Sequence, residues 1–545
     1  MSSPLFTVVM GDTLPNRLDR EGLGGERFFF IGLAGDDTLL GGMEDDLFAG
    51  GAGADEINGG DGSDWVTYES ASTRFPGPGI TIDLAAGAGT GGAAEGDVLI
   101  SIENVIGSRS DDLIIGDDGN NILKGHTGND TLRGGKGDDM LFGGVLLSVT
   151  DSDILDGGDG FDWANYREST HQYGVSINTR NDHYANAARG DFFISIEGVI
   201  GTQATDGIIM GDEDNRIHGL GGDDFLDGGR GDDTLMGGEG RDQLYGNEGR
   251  DTAVYRFSDA GISIQKLTYG RGGDAEGDVL SAVEEIVGSQ FDDTIEGAYP
   301  DVRFFGLDGD DWLSGGIGNG SDTLIGGAGA DTLDGGEGRD RASYDGSDAG
   351  VTIDLEAGTA NGGHATGDVL ISIEELRGSL LNDGLFGDGG RNSLWGLRGD
   401  DMLDGRGGQD VIHGGNGNDT LRGGSGDDAL FGGGGNDALR GNAGDDTLSG
   451  GAGDDTITGG DGDDMFVFNA DDTQNGHDTV TSFVAGEDHF LVYSSDQAQV
   501  VVSDVTGGAL IAFDTEMSVF VAGAMAAELT HASGPGGEWD HFTFL

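Results

Sequence analysis

The chemistry in this chain is carried by aspartates that return at every ninth place. Between Gly378 and Val467, 90 residues divide without insertion into ten units of the form G-G-x-G-x-D-x-U-x, in which U is apolar. Position 1 is Gly in every unit, position 4 is Gly except at Leu381, and position 6 is Asp except at Asn392. Position 8 is apolar throughout, from Leu385, Leu394 and Leu403 to Ile457 and Phe466. Glycine at positions 1, 2 and 4 lets the backbone turn sharply and aim carbonyl groups at one point. The aspartate adds a hard anionic oxygen there. A donor set of carboxylates and carbonyls, in a chain with no Cys and only 10 His, suits Ca2+ with its roughly six to eight oxygen ligands better than Zn2+ or Cu2+. Mg2+ fits less well, because it demands a tight octahedron and keeps its water.

Such sites need a framework, and the x-U-x remainder supplies one short strand per unit, with its apolar side chain inward and its neighbours outward. Two units then close one coil of 18 residues. A disordered linker rich in Gly and Asp has no reason to keep an apolar residue at every ninth place, so the period predicts a solenoid. The same register recurs in shorter runs from Gly32, Gly107, Gly219 and Gly288, with irregular stretches such as Val145–Ser152. Four longer segments separate the runs. Each opens after a tyrosine (Tyr68, Tyr166, Tyr255, Tyr344) and closes with Gly-Asp, a strand-like stretch, Glu, and then Gly-Ser or Gly-Thr. From that Asp to the last Gly the distance is ten in every copy: Asp97 to Gly107, Asp191 to Gly201, Asp278 to Gly288, Asp368 to Gly378. From Tyr to Asp it varies, being 29, 25, 23 and 24. Variation confined to the first part marks a surface loop leading into a fixed coil. After Phe468, alternating stretches at 490–493, 499–502, 509–513 and 518–521 predict a small β cap. An open solenoid end otherwise exposes an unpaired strand edge.

The nonapeptide resembles that of the RTX family, the haemolysin-type calcium-binding repeats, over roughly residues 32–467. The resemblance implies an all-β fold: a parallel β-roll in which position-6 carboxylates and turn carbonyls hold Ca2+ between successive turns. Carried over by position, the ligands it implies are Asp37, Asp46, Asp55, Asp64, Asp130, Asp139, Asp224, Asp233, Asp242, Asp311 and Asp331. To these it adds Asp401, Asp410, Asp419, Asp428, Asp437, Asp446, Asp455 and Asp464. Departures weaken some units: Asn121 and Asn392 lack the charge, Glu44 replaces the position-4 Gly, and Gly297–Phe305 lacks the pattern almost entirely. The C-terminus resembles the terminal region of RTX substrates of type I secretion in Asp478–Phe483, Gly486–Val492 and Asp540–Leu545. That resemblance implies an uncleaved C-terminal export signal and the type I machinery as a partner.

Composition agrees with cation binding. Asp plus Glu number 101 against 27 for Lys plus Arg, a net charge of -74, so the chain repels nucleic acid, anionic membranes and itself unless cations bind. The 112 glycines argue against an ordinary globular enzyme. Without Cys there is no disulfide, thiol nucleophile or thiolate metal site. No stretch approaches a membrane span, and Met1–Met10 fits no secretory signal peptide. Neither H-E-x-x-H nor G-x-S-x-G occurs, and Asp151-x-Asp153 opens like an EF-hand loop but fails at Leu155.

The expected organisation is an N-terminal cap (1–31), repeats at 32–67, 107–165, 201–254 and 288–343, and interleaved modules at 68–106, 166–200, 255–287 and 344–377. Ten uninterrupted nonamers (378–467) and the C-terminal cap with its export signal (468–545) complete it. No segment has room for a typical catalytic domain, so an extracellular calcium-binding protein without catalysis is expected, structural, surface-associated or adhesive. Cell-surface glycans or other copies of itself are the partners such a role needs. Two other readings stand beside it: a module that binds a carbohydrate or protein, and a solenoid enzyme, lyase or epimerase, acting on acidic polysaccharides. For the enzyme the suggestive cluster is Arg180, Asp182, His183, Tyr184 and Arg189. There an Arg could pair a uronate and His or Tyr could move a proton.

Overall fold

The computed structural model of the chain describes residues 6–19, 26–69, 78–144, 152–169, 174–180, 183–186, 188, 190–469, 476–484, 487–493, 501–505, 508–512, 518–522 and 542–544. Among them the only helical segments are three single 3-10 turns, Gly92–Ala94, Gly273–Ala275 and Gly363–Ala365. All other regular structure is β. The chain divides into two compact units, Met1–Tyr255 with Thr268–Val283, and Arg256–Leu267 with Glu284–Leu545.

The second unit shows the rule most plainly. Successive nonamers lie alternately on two parallel sheets, so each strand pairs with the strand 18 residues on. Leu394 is in register with Ile412, Ile412 with Leu430, and Leu430 with Leu448 on one sheet. On the other, Leu385, Leu403, Leu421, Leu439 and Ile457 form the matching series. These side chains are at most 2% exposed. The core is therefore two facing ladders of one apolar residue per turn, each burial contributing about 1.5–3 kcal/mol. Outward positions also stack at the 18-residue interval: Trp395 on His413, with ring centroids 5.9 Å apart, and His413 on Phe431 at 4.7 Å. This is an all-β parallel β-roll, as expected.

The first unit obeys the same rule, with Phe30, Phe48 and Val66 in one ladder and Leu39 opposite Ile57 in the other. Strands precede the first recognised nonamer within 1–31: Thr7–Met10 pairs parallel with Phe28–Ala34, and Arg17–Leu18 with Thr38–Gly42. In the C-terminal segment His477–Thr481 and His489–Tyr493 extend the two sheets in parallel. Val501–Val505, Gly508–Ala512 and Ser518–Ala522 then form an antiparallel meander.

The interleaved modules do something the repeat alone does not foretell. In the first, one sheet runs straight through, Trp65–Thr67 pairing with Asn104–Ile106. The other sheet is spliced. Its outgoing stack ends where Glu56–Gly60 meets Val98–Ile100, and its incoming stack begins where Thr81–Asp83 meets Leu113–Ile115. Ala88–Thr90 pairs antiparallel with both ends and stitches them together. The fourth module repeats the device with Thr332–Asp334 on Val369–Ile371, Thr352–Asp354 on Gly384–Phe386, and Thr359–Asn361 as the stitch.

Candidate metal centres along the aspartate rows

The turn after each strand places the position-6 aspartate inside the roll, and the carboxylates stack into rows along it. One oxygen of each has a fixed task. Asp401 N–H donates to Asp419 Oδ1 at 2.8 Å, Asp410 N–H to Asp428 Oδ1 at 2.8 Å, and Asp419 N–H to Asp437 Oδ1 at 2.8 Å. The first unit carries the same ladder, from Asp37 to Asp55 at 2.8 Å and from Asp224 to Asp242 at 2.8 Å. Backbone donors buried in the turns are thereby satisfied.

The second oxygen is the chemically informative one. Oδ2 is buried without a hydrogen-bond partner in Asp37, Asp55, Asp64, Asp130, Asp139, Asp224, Asp233, Asp242, Asp311, Asp331, Asp401, Asp410, Asp419, Asp428, Asp437, Asp446, Asp455 and Asp464. Asp46 holds the same place in its row and accepts the Phe28 N–H at 2.8 Å. An orphaned carboxylate oxygen is costly in a folded interior, and repetition on this scale points to a missing partner of positive charge. Burial is the main cause that pushes Asp401 up from the ordinary aspartate value to about 7, and Asp130, Asp224 and Asp311 to about 8. Repulsion from neighbours in the row adds to it, Asp383 and Asp419 acting on Asp401.

The surroundings fit a calcium ion. A Cβ on Gly396 would collide with Asp401 Oδ2 and with the Gly414 carbonyl oxygen, so position 1 must be Gly and both oxygens crowd one point. Gly405, Gly414 and Gly432 repeat this with Asp410, Asp419 and Asp437. Among the described residues no group of three acidic or imidazole side chains is placed to hold a metal ion by itself. A cation in a row would therefore rest on one carboxylate per turn plus backbone carbonyls, an all-oxygen set suited to Ca2+.

The structure adds ligand candidates that the sequence reading missed. Asp162, Asp322 and Asp340 also carry an orphaned Oδ2, and Asp251 occupies an equivalent place, accepting the Asp233 N–H at 2.9 Å. Asp162, Asp251 and Asp340 had the right spacing, but position 8 is the small Ala164, Ala253 or Ala342, buried all the same. Asp322 stands in a unit lengthened by two residues, so the ladder bonds that span it run over 20 residues: the Val302 N–H donates to Asp322 Oδ1 at 2.9 Å, and in the other row the Asp311 N–H donates to Asp331 Oδ1 at 2.9 Å. At Asn121 and Asn392 a backbone donor, from Asp117 or Asp388, reaches the side-chain Oδ1 at 2.8 Å. Those positions offer an amide in place of a second anionic oxygen.

The polysaccharide cluster looks different in place. Arg180 is engaged with Asp227 at 2.7 Å, at one wall of a groove of about 660 Å³ that Arg230, Asn247 and Glu248 also line. Asp182 and Arg189 lie outside the described residues, as does most of the Val145–Ser152 insertion. Strand His183–Asn186 pairs antiparallel with Val175–Asn178.

Comparison with known proteins agrees with the rows. No curated protein matches the chain. Among solved structures, the extracellular lipase LipA from Serratia marcescens aligns at 14% identity, over 73% of this chain and 45% of that one, with a TM-score of 0.15. The chain thus spans less than half of the lipase's length. The family model for the RTX calcium-binding nonapeptide repeat matches in eleven overlapping stretches that take in residues 30–67, 102–145, 211–253, 287–346 and 377–474. These stretches cover more than half of the chain and contain the turns that present the orphaned oxygens, all but that of Asp162. A roll whose turns repeat this nonapeptide, and whose buried carboxylates lack a positive partner, belongs to the RTX calcium-binding repeat family.

Proposed function

We propose that this is an exported protein whose chain folds when it meets calcium outside the cell, and that it serves there as a structural, surface-associated or adhesive component. The observation that carries the reading is the row of buried carboxylate oxygens without a protein partner, in a chain of net charge -74. In this reading every orphaned Oδ2 is a calcium ligand. Each ion removes two charges and ties successive coils together, so binding free energy becomes folding free energy. Extracellular calcium modules bind at about 10⁻⁴ to 10⁻³ M, which keeps such a chain unfolded inside a cell and lets it fold outside. Type I export is supported by the terminal resemblance, and among the described residues no helix is long and apolar enough to cross a membrane. Cell-surface glycans or further copies of the chain are the partners proposed.

The role needs no catalysis, and we assign none. Arg180, the most suggestive residue for it, is already engaged with an aspartate. The test of the reading is a calcium titration followed by circular dichroism and light scattering. A cooperative gain of β signal at millimolar calcium is expected. Equal β signal in chelator, or equal folding by Mg2+ at the same concentration, would overturn it.

A further inference from the structure

The row carboxylates fall into two kinds, and the difference lies in the residue that faces them. Where Oδ2 is orphaned, position 2 of the unit is left-handed even when it is not glycine. Leu33 has φ 83°, Leu220 81°, Leu307 85°, Leu397 80° and Asn442 82°. A side chain in that region is sterically strained, so the turn imposes the conformation on it. Position 2 is different in the first unit after each module, where it is Ser108, Thr202, Ser289 or Ser379, and none of these is left-handed. Their backbone N–H groups instead donate to Oδ2 of Asp112, Asp206, Asp293 and Asp383, at 2.6, 2.6, 2.6 and 2.7 Å. Their hydroxyls donate to Oδ1 of the same groups at 2.7, 3.0, 2.8 and 2.8 Å.

At the other boundary of each module a second device does the same work. The aspartate that closes the module takes its place in the ladder, Asp97 Oδ1 accepting the Asp55 N–H at 2.9 Å and Asp368 Oδ1 the Asp331 N–H at 2.9 Å. Its Oδ2 is met by the tyrosine that opened the module. Tyr68 reaches Asp97 at 3.0 Å, Tyr166 reaches Asp191 at 2.7 Å, Tyr255 reaches Asp278 at 3.0 Å, and Tyr344 reaches Asp368 at 2.8 Å. This is the physical content of the Tyr-to-Asp pairing in the sequence, whose loop length varies while its end points meet.

We propose that these hydroxyl and amide donors stand in for calcium, closing Asp97, Asp112, Asp191, Asp206, Asp278, Asp293, Asp368 and Asp383 to the ion, so that the calcium sites run in separate strings bounded by the modules. The selecting residues are Ser or Thr at position 2 and the module tyrosine. The inference rests on the reading that orphaned Oδ2 atoms are calcium ligands, and it goes further by naming which aspartates are not.

The experiment counts calcium bound to the full-length protein by equilibrium dialysis, with the β signal measured alongside. A variant carrying Ser108→Gly, Thr202→Gly, Ser289→Gly and Ser379→Gly restores a residue that can turn left-handed, and should bind more calcium than wild type, by up to four ions. The matching Ser/Thr→Ala variant keeps the backbone donors on Oδ2 and should gain none. In reverse, Gly424→Ser places at position 2 the residue type whose N–H and hydroxyl close Asp383, so it should turn the amide onto Asp428, close that carboxylate and lower the count by one with the β signal kept. If the glycine variant folds with an unchanged count, the proposal is wrong. Should that variant not fold, Gly424→Ser decides: a folded protein with the wild-type count overturns it. A wild-type count near zero would instead sink the calcium-ligand reading itself.

Discussion

Asp428 separates the two tasks of a row carboxylate. It is 2% exposed, Oδ1 holds the Asp410 N–H at 2.8 Å, and Oδ2 has no protein partner. Asp428→Ala removes both oxygens. It leaves the Asp410 amide, in a residue 1% exposed, without its acceptor, and a buried orphan donor costs about 1–3 kcal/mol. Asp428→Asn keeps the acceptor and puts an amide where the second anionic oxygen was, so it should lose the cation and keep the ladder. In calcium near 10 mM, well above the range of extracellular modules, urea unfolding should therefore rank wild type above Asn and Asn above Ala. The Asn-to-Ala gap of about 1–3 kcal/mol corresponds to a roughly 5- to 150-fold fall in the folded-to-unfolded ratio. Both variants should bind one calcium fewer. Because neighbouring coils share their sites, the calcium midpoint should rise more for Asp428→Ala than for Asp46→Ala, which lies in an imperfect unit with Glu44 at position 4. Coincident unfolding curves for Asn and Ala would show that the ladder bond carries no stability, and a full calcium count in the Asn variant would show that Oδ2 is not a ligand.

Three further outcomes are expected. In chelator the roll should gain stability as pH falls: burial raises Asp428, Asp401 and Asp130 to about 6, 7 and 8 in the folded chain against an ordinary 3.8, so the penalty is full above the folded values and vanishes below the unfolded one. A β signal that stays flat or falls between pH 8 and pH 5 in chelator would contradict this. Deleting Ala470–Leu545 should retain the protein inside the cell, and normal secretion of the truncated chain, followed by immunoblot of medium and cells, would refute type I export by this segment. Incubation with alginate-like or pectin-like polymers should release no unsaturated uronate; turnover that disappears in Arg180→Ala or His183→Ala would restore the enzymatic reading.

Much of the fold was legible because one physical constraint, an inward apolar residue every nine, is written at Leu394, Leu403, Ile412 and their fellows. The aspartates were legible for the same reason. What escaped was whatever depends on the conformation of a local turn or on a partner distant in sequence. Ser379 looks like an ordinary turn residue until its N–H is seen on Asp383 Oδ2. Tyr344 shows its role only when the module has folded back to bring Asp368 within 2.8 Å. The splicing of one sheet was hidden as well, since Thr352–Asp354 and Val369–Ile371 read locally as equivalent short strands and only their pairing tells which stack each one joins. Asp322 was lost to a two-residue lengthening that the turn absorbs without moving the strand register.

The alternation of nonamers between two sheets also sets a quantum on how the second unit can change length. Removing or duplicating 18 residues inside Gly378–Val467 returns every later strand to its own sheet, and Trp395, His413 and Phe431 would still share one column. Removing nine leaves each local turn intact yet hands every later side chain to the opposite face, so the members of the aromatic column beyond the cut would move across the roll. Tandem growth and decay of this array should therefore proceed in whole coils, and a lineage that shed a single nonamer would have to rewrite its outer surface from that point on.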